Sequence, residues 1–105
     1  MNSISKVSDI TYQDLVEYIR IPEITESDQM LLNSLLGVAT AFIKNYTGQT
    51  NLDNFPEYVI VVFILVQDMW DNRTLYVDTS NVNKVVDSIL GIHSINLLPM
   101  VTGND

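Results

Sequence analysis

Two places in this 105-residue chain hold residue types that could do chemistry: the carboxylates Asp68 and Asp71, and the single histidine, His93. Carboxylates three apart share one helix face, and such a pair serves acid–base chemistry when its environment pushes the two pKa values apart. Here Asp71 is followed at once by Asn72 and Arg73. The simpler reading is a helix-end electrostatic cluster of Asp71, Asn72 and Arg73, which needs no catalysis. Without a cysteine or a second histidine, a zinc site or a nucleophile–histidine pair has little to draw on around His93. It reads as a polar loop residue. The glycines stand singly at 37, 48, 91 and 103, so no glycine-rich phosphate loop exists. No catalytic residue, metal ligand or cofactor is expected, and the chain reads as a non-enzyme.

The elements around these residues are four helices, at about 11–20, 26–47, 55–72 and 81–90, followed by a tail over 92–105. In the first, Thr11 is the N-cap and Asp14 completes an aspartate version of the capping box. Tyr12, Leu15, Val16 and Ile19 then form one apolar stripe, with Gln13, Asp14, Glu17 and Arg20 outside. Pro22 bars helical geometry at Ile21. The second helix is the longest, capped by Thr25 or Ser27 and ended by a left-handed Gly48. Its stripe is Leu32, Leu35, Leu36, Ala39, Phe42, Ile43 and Tyr46; Asn33, Gly37, Thr40 and Lys44 lie opposite. Gly37 costs helix stability, up to ~1 kcal/mol relative to alanine, and reads as a surface glycine.

The third segment is the ambiguous one. Residues 59–66 (VIVVFILV) have strand propensity. Yet the apolar pattern runs on to Met69 and Trp70, too far for a strand, and no other run in the chain could pair with it. Asn54 as cap and Pro56 in the first turn complete a helix start. The reading is therefore a central helix, apolar on nearly every face, covered by the other helices or by a neighbouring subunit. The fourth helix starts from a cap at Ser80 or Asn81, buries Val82, Val85, Val86 and Ile89, and closes at Gly91. The fold class is all-α: one small bundle with a long second helix, a buried third helix and an extended tail.

Composition sets further bounds. Five lysines and arginines against thirteen aspartates and glutamates give a net charge of −8. Lys6, Arg20, Lys44, Arg73 and Lys84 are scattered singly, whereas a phosphate-binding surface needs clustered cations that release counterions. Direct, tight nucleic-acid binding is not expected on that ground. The longest apolar run, 59–66, is far short of the ~20 residues that span a bilayer, so no membrane role is expected. The first residues, MNSISKVSDITYQ, lack the basic patch and apolar run of a secretory signal. The sequons at Asn45 and Asn72 then read as chance matches.

The tail carries the last sequence feature. Ile95, Asn96, Leu97, Leu98, Pro99 and Met100 form an apolar segment too short and irregular to bury itself, which marks it as a partner interface. Burying its four large apolar side chains contributes ~6–12 kcal/mol before costs. Ordering its backbone at ~1–2 kcal/mol per residue cancels most of that. A single tail therefore binds weakly.

The order of these elements, with Tyr18-Ile-Arg-Ile21 closing the first helix, Ile43-Lys-Asn-Tyr-Thr-Gly48 the second and Asp71-Asn-Arg73 the third, resembles the head–tail connector proteins of long-tailed bacteriophages and prophages. These are also called adaptor or head-completion proteins. The resemblance covers roughly residues 9–98. It departs from the family where a basic residue often ends the last helix, since His93 and Ser94 stand there. What it implies is a structural virion protein at the head–tail junction, assembled in the bacterial cytoplasm. Such a subunit forms a homo-oligomeric ring, twelve-fold on the portal, that extends the DNA channel after packaging and meets a stopper or tail-completion protein below. DNA would pass without specific binding. The rival reading is an acidic phage decoy of the anti-repressor type, binding a host protein by mimicking DNA charge. Its acids should line one exposed face, whereas here they are spread along the whole chain.

Overall fold

The computed structural model describes residues 4–78 and 84–93. Within them the chain forms α1 (Tyr12–Ile19), α2 (Glu26–Thr47), α3 (Tyr58–Asn72) and α4 (Lys84–His93), with 3-10 turns at Val7–Asp9 and Leu52–Asn54. There is no strand among the described residues, and the all-α reading holds.

α1 and α2 start as their sequences dictate. The Thr11 hydroxyl accepts the Asp14 N–H while the Asp14 carboxylate accepts the Thr11 N–H at 2.8 Å. Thr25 and Asp28 repeat the same reciprocal pair at the head of α2, which settles the cap on Thr25 and not on Ser27. Each box satisfies two amide donors that a helix start would otherwise leave orphaned. α2 ends at Gly48, φ 76°, as expected.

α3 is the core. Tyr58, Val59, Val61, Val62, Phe63, Leu65, Val66 and Met69 are buried, and α1, α2 and α4 all pack on it. Phe63 stacks on Tyr18 of α1 with ring centroids 5.0 Å apart, so Tyr18 widens the α1 stripe beyond the residues its spacing picked out. Ile60 is the one large apolar side chain of α3 left exposed. The entry to α3 differs from the expected one. The helix begins at Tyr58, three residues later than 55, and its N-cap Glu57 makes no side-chain cap. Asn54 belongs instead to the 3-10 turn, whose own cap is Asn51. The reason is burial: Leu52 is anchored in the core and Phe55 packs on Tyr58 at 4.9 Å. The chain is then tightened into i→i+3 bonds, Tyr58 N–H to the Phe55 carbonyl and Val59 N–H to the Pro56 carbonyl.

Three further expectations are corrected. Tyr46 was expected on the buried stripe but is exposed, its hydroxyl donating to the Asp87 carboxylate of α4 at 2.8 Å. Thr47 is buried in its place, a position open to it because its hydroxyl donates to the Ile43 carbonyl and accepts from the Gln49 N–H. α4 runs through Gly91 to His93 and does not close at the glycine, so His93 is a helical residue and not part of a loop. A glycine ends a helix only by taking left-handed geometry, and among the described residues Gly48 alone does so. Val86 and Leu90 form the fully buried stripe of α4, with Ile89 half-buried. Its expected caps, Ser80 and Asn81, and its Val82 lie outside the described residues, as does the tail Ile95, Asn96, Leu97, Leu98, Pro99 and Met100.

Candidate functional site

The end of α3 carries the sequence-predicted cluster. Asn72 is the last helical residue, and its side-chain amide donates to the Asp68 carbonyl at 2.9 Å and to the Asp68 carboxylate at 3.1 Å. Asp68 is thereby engaged within its own helix and is not poised with Asp71 as a working pair. Arg73 takes the left-handed position at φ 57°, and the Thr74 N–H returns to the Met69 carbonyl in a Schellman-type closure. Its guanidinium lies over the Trp70 ring, 5.2 Å from the centroid. No ion pair joins Asp71 to Arg73. Asn72 and Arg73 end the helix through an amide and a cation–π contact, and the Asp71–Arg73 attraction expected from sequence is not among these contacts. Beyond them Leu75 and Tyr76 stand exposed.

Arg20 at the end of α1 repeats the left-handed position, φ 67°, and both Arg20 and Ile21 donate to the Val16 carbonyl. Both arginines of the chain are thus helix caps, and Lys44 sits in the last turn of α2. Cations at helix C-termini oppose the negative end of the macrodipole. Three of the five cations thus stand at helix C-termini, at three separate places in the chain.

Sequence reasoning missed the contact that holds the N-terminal segment. The Asp53 carboxylate accepts the Ser8 N–H at 3.0 Å and the Ser8 hydroxyl at 2.7 Å. These two bonds, the hydroxyl first, hold the Asp53 carboxyl below the usual carboxylate range. Val7 and Ile10 flank the clamp and are buried. The signal was there in kind, since Val7 and Ile10 are apolar three apart, but nothing local linked Ser8 to a residue forty-five positions on. Beside the clamp lies an open cavity of about 310 Å³ between the N-terminal segment, the Leu36–Thr40–Lys44 side of α2 and the 50–53 turn. On α2, the hydrogen bond to Asp87 raises the Tyr46 phenol above its ordinary pKa, and burial adds to the effect.

Among the described residues no group of three or more His, Cys, Asp or Glu side chains could hold a metal ion. No described helix is long and apolar enough to cross a membrane. Comparison of the chain with protein-family models, curated proteins and solved structures gives no match.

Proposed function

We propose that this chain is a head–tail connector subunit of a long-tailed bacteriophage or prophage: a structural protein that joins a ring on the portal and extends the DNA channel toward a stopper or tail-completion protein. The observation that carries the reading is the ordered set of helix ends, EYIRI before Pro22, FIKNYTG at Gly48 and WDNR at Arg73, in one small all-α domain. Each of these motifs falls at a helix C-terminus, where Arg20, Gly48 and Arg73 take the left-handed conformation.

The charge supports the same reading. A net −8 protein whose arginines are spent on helix caps offers DNA no row of cations, so the duplex can slide past it. The apolar tail supplies a portal contact that is weak for one subunit and strong for a ring.

Capture on a portal ring tests the proposal. The full chain should bind purified portal particles in many copies and band with them on a density gradient. Removal of residues 95–105 should abolish capture and leave the melting temperature nearly unchanged, because the buried residues of the described part of the chain, from Val7 to Leu90, all precede the cut. A Leu98→Asp chain, with a charge in the docked contact, should also fail to bind. If the full chain does not bind any portal encoded beside it, the connector reading is wrong. If the deletion unfolds the domain, the tail is core and not interface.

A further inference from the structure

α2 carries a face that its own fold does not use. Met30, Ser34, Gly37 and Ala41 lie along one side of the helix, all exposed, and Met30 keeps 68 % of its surface in solvent. No residue from Gln29 to Ile43 is charged, although the chain as a whole carries eighteen charged side chains. Loss of charge at the centre of an exposed surface is the compositional mark of an interface. Gly37 adds an independent point. A Cβ there would meet nothing within 4 Å, so nothing among the described residues requires a glycine that weakens the helix.

The two ends of this face say what covers it. Glu26 and Lys44 are eighteen residues apart, which is five turns, so both project from the same side. Both are exposed, and neither makes an ion pair within the described residues; Lys44 acts on Asp53 only as a weak long-range influence. Around a point beside residues 35 and 36 the pattern is self-complementary to within one residue. Reversed on itself, it sets Glu26 against Lys44, the large Met30 against the small Ala41, and Ser34 against Gly37. We infer that α2 pairs antiparallel with α2 of a second copy of this chain, about a two-fold axis that passes beside residues 35 and 36.

The electrostatics favour a second copy over other acidic partners. Two chains of −8 repel at most approaches, and this face brings them together with no carboxylate at its centre and two opposite-charge pairs at its ends. The contact is short. Glu26 to Lys44 spans ~27 Å of a helix ~10 Å across, a footprint of ~270 Å² per copy, well below the ~800 Å² per partner of a standard stable interface. The dimer is therefore weak and dissociates on dilution. A two-fold contact closes at two copies and cannot propagate into a ring, so ring assembly would have to release it. The inference does not rest on the connector reading, and either can fail alone.

Cross-linking and sedimentation of the full chain test it, and the chain has no native cysteine to interfere. A mixture of Met30→Cys and Ala41→Cys chains should form a mixed disulfide at least tenfold faster than either variant alone. Antiparallel pairing places those two positions side by side, but it keeps two copies of residue 30 about 16 Å apart along the axis, beyond the ~7 Å that a disulfide can bridge. Sedimentation of the unmodified chain should show dimer growing from low micromolar to millimolar concentration. Gly37→Glu should remove the dimer and keep the helical circular dichroism, since its side chain enters open space. The proposal is overturned by a chain that stays monomeric throughout, by a dimer that Gly37→Glu leaves unchanged, or by Met30→Cys cross-linking to itself as fast as the mixture.

Discussion

α2 and α3 are neighbours in the bundle and are specified by opposite means. α2 declares itself locally: a capping box at Thr25 and Asp28, acids in its first turn, Lys44 in its last, and Gly48 to close it. Only five of its twenty-two residues are buried. α3 has no side-chain cap and a run of β-branched residues that disfavour a helix, yet eight of its fifteen residues are buried. One helix exists because its ends and composition ask for it. The other exists because three helices cover it, and only a helix satisfies its backbone within a single segment. Perturbing packing should therefore be ruinous in α3, while perturbing ends should be a graded effect in α2.

The largest expected effect is at Phe63. Phe63→Ala removes a fully buried ring and its stack on Tyr18, and should cost ~3–5 kcal/mol. That is a large part of the ~5–15 kcal/mol that a domain of this size has in total. Chemical denaturation should show a much lower midpoint with the slope preserved. A loss below ~1 kcal/mol would mean that α3 is less enclosed than its burial states.

Thr25→Ala should cost about 1 kcal/mol, the usual value of a lost N-cap. Hydrogen exchange should speed up at the first turn of α2 and leave α3 untouched. Uniform acceleration across both helices would erase the distinction between them.

Arg73→Gly sharpens the comparison at the far end of α3. An L-residue in the left-handed region carries ~1–2 kcal/mol of strain, which glycine relieves, but the cation–π contact over Trp70 is lost with it. Glycine also adds unfolded-state freedom that costs ~0.4–1 kcal/mol, so the net expectation is a change within ~0.5 kcal/mol of zero, read as a melting temperature that barely moves. A clear destabilisation would show that the guanidinium over Trp70 outweighs the strain.

The smallest effect belongs to the Ser8–Asp53 clamp. Because the Asp53 pKa is lowered in the folded chain, the unfolded chain binds the proton more readily. The clamp's contribution is present above the ordinary aspartate value of ~3.9 and is lost as pH falls through the lower, folded value. Melting temperatures of the native chain and Asp53→Asn should differ slightly at neutral pH and converge in strong acid. An equal difference at pH 7 and in strong acid would show that the carboxylate charge is not what matters.

Much of the molecule was written into local sequence. Thr11 with Asp14, Thr25 with Asp28, and Gly48 are events within four residues of one another, and the caps form where those residues stand. The helical state of 59–66 was also legible, from an apolar pattern too long for a strand, a proline at the helix start and the absence of any strand partner. What the tertiary structure alone decided involves distant partners. Tyr46 left the buried stripe for Asp87, forty-one residues away, and Ser8 found Asp53 across forty-five. Leu52 and Phe55 delayed the start of α3 because their burial outweighed a favourable cap at Asn54. α4 passed through Gly91 because a glycine permits a helix end without imposing one. Caps and turns are fixed by hydrogen bonds inside one short segment, so sequence determines them. Which apolar face is covered, and which polar group meets which, depends on how helices are brought together, and no single segment contains that information.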